Sequence, residues 1–195
     1  MLVEHALQNK LVLRLKGGDV SFFSNILDEL NILAENQIPF EIIPGVTAGS
    51  GAAAYAGIPL TARGYATSVR FLTCYDPESI SNDMWKELAT TDDTLVFYMS
   101  SKVLKTVVRY LLKHQISPEK QLAVIEQGTT PFQKVYVHSL PTFMESDVRT
   151  YVSPSIAIIG RVVELRERFQ WMHNSTMDGR YFTAFKDSSV SEINP

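Results

Sequence analysis

TLVFYMSSKVLKTVVRYLLKHQISPEKQLAVIEQGTTP, from Thr94 to Pro131, is the stretch on which the fold turns. Thr94–Met99 is a continuous apolar run rich in β-branched and aromatic residues, the composition of a strand covered on both faces. Val103–His114 then sets Val103, Leu104, Val107, Val108, Leu111 and Leu112 on one helical stripe, a core-packing pattern. Leu122–Glu126 is apolar again and stops at the glycine of EQGTTP. A strand, a helix and a strand in this order mark an α/β fold.

On the carboxyl side, Gln133–Ser139 alternates as a hairpin-like strand. Ile156–Val163 is a further apolar strand, with no long helix between them, so a mixed sheet is expected. On the amino side, a strand at Val69–Tyr75 and a helix at Asp83–Ala89 precede the deciding stretch. Before these, Leu2, Val3, Ala6 and Leu7 have helical spacing from the first residue, and Leu11–Leu15 reads as a strand. Gly17-Gly18-Asp19 punctuates it, and Phe22, Phe23, Ile26, Leu27, Leu30 and Leu33 resume the helical period. Phe40–Ile43 reads as a second strand ending at Pro44-Gly45. An Ala- and Gly-rich helix follows, with Thr47 as its N-cap and Gly57 as its stop. The glycines and proline of residues 57–64 place a domain boundary near residue 65. The expected organisation is an α/β region over 1–65, a second α/β domain over 66–170, and a surface tail over 171–195, where no period is sustained.

The 195 residues are 45% hydrophobic and 20% charged, enough apolar material for a packed core. A net charge of −3 gives no basic excess, which argues against a nucleic-acid partner and for a small one. No apolar run is long enough for a membrane helix. The single cysteine, Cys74, reads as a small core residue in a strand, and it fits a cytoplasmic setting with no metal centre. His5, His114, His138 and His173 are scattered, and no HExxH, GxSxG or paired-cysteine motif exists. Asp92-Asp93 reads as a solvated turn.

Three strand-end turns carry the candidate chemistry. In RLKGGD, Arg14–Asp19, two glycines let the backbone approach a ligand, or equally form a tight turn with Gly18 at positive φ and Asp19 or Ser21 capping the next helix. In PGVTAGSGAAAYAGIPLT, Pro44–Thr61, Thr47 and Ala48 stand at a strand's carboxyl end, the ligand edge of α/β sheets, and close helix packing would explain the small residues as well. EQGTTP, Glu126–Pro131, repeats the theme at Gly128. One ligand cleft would use all three.

Together RLKGGD, PGVTAGSGAAAYAGIPLT, SVRFLT, TLVFYM, VIEQGTTP and IAIIGRVVELRER, in this order, resemble the uroporphyrinogen-III C-methyltransferases of the tetrapyrrole methylase family, from about Leu2 to Arg168. The resemblance implies two α/β domains, here with the amino-terminal one incomplete, and S-adenosylmethionine (SAM) held between them. It also implies a homodimer that methylates uroporphyrinogen III towards precorrin-2, on the route to sirohaem and cobalamin. By the same resemblance, Gly17, Gly18 and Asp19 match the cofactor-contacting GGD, Phe22 the next contact, Thr47 and Ala48 a Thr-Ala pair, Met99 the end of its strand, and Gly128 the glycine of EQGT. Tyr98, Pro154, Ser155 and Ile156 lie beside adenine-side positions. For a substrate rimmed with carboxylates, Arg14, Lys16, Arg63 and Arg70 are the candidate cations.

Two departures accompany the resemblance. Where the family has GGDPF-FGRGGEE, this chain has GGDVSFFSNILDE, with Val20 for the proline and Ser24-Asn25 for Gly-Arg. The family's opening segment, with its GxGPGD loop and proton-transfer residues, has no counterpart here, so no catalytic acid or base is assigned and little turnover is expected of this chain. A non-catalytic remnant that binds SAM or dimerises is the alternative, and a methylase of a later corrin intermediate is a third reading.

Overall fold

The computed structural model describes residues 1–146 and 149–182. Its centre is a five-stranded mixed sheet of β1 (Val69–Thr73), β2 (Thr94–Tyr98), β3 (Gln121–Glu126), β4 (Lys134–Ser139) and β5 (Ser155–Gly160), in the order β1-β2-β5-β3-β4. β1 runs parallel to β2, and β5 is antiparallel to both β2 and β3, so β1, β2 and β3 all point one way. β3 and β4 form the expected hairpin, paired from Gln121↔Ser139 to Glu126↔Lys134.

Alternation along each strand divides the apolar side chains between two faces. Leu95, Phe97, Leu122, Val124 and Ile159 face α4 (Asn82–Thr90), α5 (Leu104–Lys113) and α6 (Leu140–Glu145). The α5 stripe is the predicted one, with Leu104, Val107, Val108 and Leu111 buried. Ser81 caps α4 through the amide of Met84, and Ser139 caps α6 through that of Thr142. Val96, Tyr98, Ala123, Ile125, Ile156 and Ile158 face the other way, onto α3 (Ala48–Ala56). Ala52, Ala53 and Ala56 line the inner side of α3, and their small size brings helix and sheet close together. Gly57 stops α3 in the left-handed region, at φ 69°.

The amino-terminal 47 residues differ from expectation. α1 (Leu2–Leu7) and α2 (Ile26–Glu35) form, and neither buries a residue. Leu11–Leu15 and Phe40–Ile43, read as strands, are extended segments without ladder partners, and their apolar side chains are mostly exposed. A strand is defined by a neighbour that takes its backbone hydrogen bonds, and no described segment forms a ladder with either of these two. The apolar run read as one strand over Ile156–Val163 also divides. The ladder ends at Gly160, and residues 161–165 wind into a 3₁₀ turn that leads to α7 (Arg166–Phe169) and buries Val162 and Val163 against the α3 face.

Residues 171–182 lie on the surface, mostly exposed. The rest of the expected tail, 183–195, falls outside the described residues. Cys74 is buried, and burial pushes its thiol pKa up, as befits a core residue.

A shelf at the carboxyl end of the sheet

The three strand-end turns meet at one edge of the sheet. Tyr98 is in register with Ile156, and Ile156 with Ile125, so β2, β5 and β3 end side by side. Met99 therefore leaves the sheet next to Pro154-Ser155, and Gln127-Gly128 leaves it on the other side of β5. The amide of Gln127 donates to the Pro154 carbonyl at 2.8 Å, closing that side. Met99 adopts a left-handed φ of 55°, is 41% exposed, and accepts a hydrogen bond on Sδ from the Tyr75 hydroxyl.

α3 reaches the same edge through Tyr98. Its hydroxyl accepts the Gly49 amide at 2.8 Å and shares a hydrogen bond with the Thr47 hydroxyl at 2.7 Å. Thr47 is thus the N-cap residue, as predicted, but its side chain serves Tyr98 instead of the helix amides. The approach is so close that a Cβ on Gly49 would lie 2.6 Å from the Tyr98 hydroxyl and 2.9 Å from the Phe71 ring. In the sequence Gly49 reads as one more small residue of a packed helix, and by the resemblance Tyr98 lies beside the adenine-side positions; neither reading joins the two. The excess of Ala and Gly over residues 48–57 was the available signal.

The GGD turn is fastened to the start of α3 in turn. One Asp19 carboxylate oxygen accepts the Ser21 amide at 2.7 Å, and the other accepts the Gly45 amide at 3.0 Å. These two amides, Ser21 first, hold its carboxyl below the usual carboxylate range. Asp19 therefore ties two turns together instead of capping α2, whose N-cap is Asn25. Gly18 has φ 75°, and a Cβ on Gly45 would lie 2.3 Å from the Gly18 carbonyl, so the turns require both glycines. Gly17 differs: a Cβ there meets nothing within 4 Å. Phe22 meets Phe71 edge-on at 5.4 Å, and Phe23 lies 4.9 Å from Tyr98, which roofs this end of the β1–β2 pair with aromatic rings.

The predicted residues are thus brought together: Gly17, Gly18 and Asp19 beside Thr47 and Ala48, these beside Tyr98 and Met99, and Phe22 above Phe71. Gly128 faces α3, where a Cβ would stand 3.0 Å from that of Ala52, so close helix packing fixes this glycine as well. The candidate cations do not gather at the shelf, and three of the four are engaged in ion pairs. Arg14 and Lys16 pair with Glu29 at 3.2 Å each, and Lys16 also donates to the Ser24 carbonyl at 2.8 Å. Arg70 is held by Glu87 and Asp93 at the opposite, amino end of the strands. Arg63 lies in the turn closed by the Ala62–Ala66 bridge, just ahead of that same end. Nor is Asp93 a residue of a solvated turn: hydrogen bonds from Ser68 and Arg70 lower its pKa to about 2.

The shelf presents backbone amides and carbonyls, small side chains and a half-exposed methionine, with the carboxylates of Asp19 and Glu126 already engaged. Such a surface suits a compact ligand with polar ends and a flat apolar part. Among the described residues no group of three His, Cys, Asp or Glu is placed to hold a metal, and no helix is long and apolar enough to cross a membrane.

Residues 1–143 match the profile of the Tetrapyrrole (Corrin/Porphyrin) Methylases. The chain belongs to this family. It is 42% identical to siroheme synthase of Vesicomyosocius okutanii over 174 residues, covering 88% of this chain and 37% of that one. Siroheme synthase of Pseudomonas putida is likewise 42% identical over 179 residues, covering 91% and 39%. The chain therefore spans about two fifths of the length of these relatives. The structure of uroporphyrin-III C-methyltransferase from Thermus thermophilus complexed with S-adenyl homocysteine superposes with a TM-score of 0.68 at 28% identity, covering 84% of this chain and 69% of that one. A second structure of the Thermus enzyme gives 0.71 at 31% identity, covering 86% and 72%. A cobalt precorrin-4 methyltransferase shares the fold, with a TM-score of 0.72 at 22% identity, covering 83% and 69%.

Proposed function

We propose that this chain is the methylating part of a SAM-dependent enzyme that acts on uroporphyrinogen III, towards precorrin-2, as a cytoplasmic homodimer. The observation that carries the reading is the convergence of the GGD turn, the Thr47-Ala48 helix start, Met99 and the EQGT turn on one shelf. Relatives named for sirohaem synthesis, and a structural neighbour crystallised with S-adenyl homocysteine, support it. We place residues 1–65 in one lobe and 66–170 in the other, with the shelf between them.

The residues fit SAM. It is a zwitterion with an apolar adenine, and the shelf offers neutral backbone dipoles with room beside Gly17. Gly17, Gly18, Asp19, Thr47 and Ala48 would hold it from one side, Met99 and Gly128 from the other, with Phe22 at the rim. When bound, SAM supplies a methyl group on a sulfonium sulfur. The chain's own contribution is positioning, which for a displacement between two held partners accounts for a large part of the barrier lowering. Engagement of Arg14, Lys16 and Arg70 in ion pairs leaves Arg63, of the four candidate cations, without an ion pair among the described residues.

Gly17 provides the clean test. A side chain there enters open space at a φ outside the left-handed region, so Gly17→Leu adds bulk beside the proposed cofactor position without straining the turn. Calorimetric titration with S-adenosylhomocysteine should show binding to the wild type and none to Gly17→Leu, at equal thermal stability. Equal binding by both removes the shelf from consideration. Incubation with SAM and uroporphyrinogen III, followed by mass spectrometry of the tetrapyrrole, then separates an enzyme from a protein that only binds the cofactor.

A further inference from the structure

Beyond α7 the chain turns back along the sheet. β4 is the outer strand, and Val135 directs its amide and carbonyl away from β3. The Asn174 carboxamide takes both, accepting the Val135 amide on Oδ1 at 2.7 Å and donating from Nδ2 to the Val135 carbonyl at 3.0 Å. One side chain thus does what a neighbouring strand would do at an open sheet edge. The Ser175 amide donates to the Gln133 carbonyl at 2.9 Å, and Lys134 pairs with Asp178 at 3.0 Å. Further along this strap of residues 171–181 the roles reverse, and the EQGT turn grips the strap. Gln127, only 3% exposed, accepts the Tyr181 amide on Oε1 at 2.8 Å and donates from Nε2 to the Gly179 carbonyl at 3.2 Å.

The segment gripped in this way is the EQGT turn of the shelf. On either side of Gly128, Gln127 and Thr129 have φ of 47° and 67°. Left-handed conformations are unfavourable for residues with a Cβ and persist where surrounding bonds over-determine them. Within the turn the Thr130 hydroxyl donates to the Gln127 carbonyl at 2.8 Å. Gln133 accepts the Thr129 amide at 2.8 Å while donating to the Tyr55 carbonyl of α3 at 3.1 Å. The strap adds two further bonds, both through the side chain of Gln127.

We propose that residues 171–181 are a latch that holds the Gln127–Thr129 turn in its strained form, and that Gln127 is the positioning residue through which the latch acts on the cofactor shelf. The effect on cofactor affinity rests on the function proposed above, whereas the hold on the turn does not.

The test uses the full chain, as wild type, Asn174→Ala, Gln127→Ala and the double variant. Amide hydrogen exchange reports the turn, and calorimetry with S-adenosylhomocysteine reports the shelf. Asn174→Ala opens the latch from outside the turn, so it should expose not only the Val135 amide but also those of Thr129 and Thr130. Each single variant should bind the ligand about fivefold more weakly, the scale of one net hydrogen bond, and the double no more weakly than the weaker single, because both open the same latch. Gln127→Glu keeps the acceptor for Tyr181 and should recover part of the protection. If Asn174→Ala exposes Val135 while Thr129, Thr130 and the affinity stay at wild-type values, or if the two losses add, the latch is overturned. A wild type that fails to bind the ligand overturns the shelf, and exchange at Thr129 and Thr130 still decides the latch.

Discussion

Residues 1–47 and residues 69–166 are built from similar apolar strings, yet they fare differently. TLVFY becomes β2, with every residue buried between parallel and antiparallel neighbours. LVLRL at Leu11–Leu15 becomes an extended segment whose leucines face outward, and no residue before Gly49 is buried. Apolar composition makes a segment able to be a strand, but pairing and two-sided coverage make it one. The two ends of the sheet differ in the same spirit. Its amino end is closed by charge, with Arg70, Asp93 and a buried Lys120 that donates to the Thr91 carbonyl. Its carboxyl end is closed by backbone turns that leave polar groups available to a ligand.

The contrast is broken most sharply in the core. Phe97→Ala should destabilise the protein by about 3–5 kcal/mol in urea unfolding, through the cavity left between β2 and the α4–α5 layer. Gly49→Ala forces α3 away from Tyr98 and Phe71. It should cost about 1–3 kcal/mol as overpacking and also remove S-adenosylhomocysteine binding. Tyr98→Phe keeps the ring but leaves the Gly49 amide without its acceptor. Its cost should be about 1–2 kcal/mol, with weaker ligand binding, and retention of both at wild-type level would deny that Tyr98 joins α3 to the shelf.

A smaller effect belongs to the amino end and depends on pH. The Asp93 carboxyl is lowered from 3.8 to about 2 in the folded protein. The unfolded chain therefore takes up the proton first. The stabilisation is fully present above pH 3.8 and is lost as pH falls from there through about 2. Urea midpoints measured between pH 5 and 2 should fall more steeply for the wild type than for Asp93→Asn; parallel curves would show that Ser68 and Arg70 confer no net stability. The least effect is expected at Leu13, where Leu13→Ala should change stability by no more than about 0.5 kcal/mol, and a core-sized loss would mean that this side chain is covered in solution.

Much of the fold was legible in the sequence, because its signals are local. The α5 stripe, the strand at Thr94–Tyr98, the β3–β4 hairpin and the Gly57 stop each rest on a periodicity or a single backbone requirement. The boundary at Gly160 was not legible, since an apolar run does not show where a ladder stops and a 3₁₀ turn begins. In the site, glycine turns marked where the backbone would lie open, and the resemblance named Gly17, Gly18, Asp19, Thr47, Ala48, Met99 and Gly128. It gave no sign that Asp19 would be tied to Gly45 or that Gln127 would be held from residues 179–181.

By itself, the sequence determined the α/β alternation, the mixed sheet, the strand-end turns and the family, since each resides in residue types at fixed spacing. Tertiary structure alone decided which apolar runs became strands, which cations were engaged in ion pairs, and which glycines served packing as well as access. These outcomes depend on contacts between residues 13 to 117 positions apart, such as Lys16 with Glu29, Asp19 with Gly45, Thr47 with Tyr98, and Trp171 with the Ala54 carbonyl. No local pattern encodes such contacts, because a hydrogen bond forms wherever folding brings a donor to an acceptor.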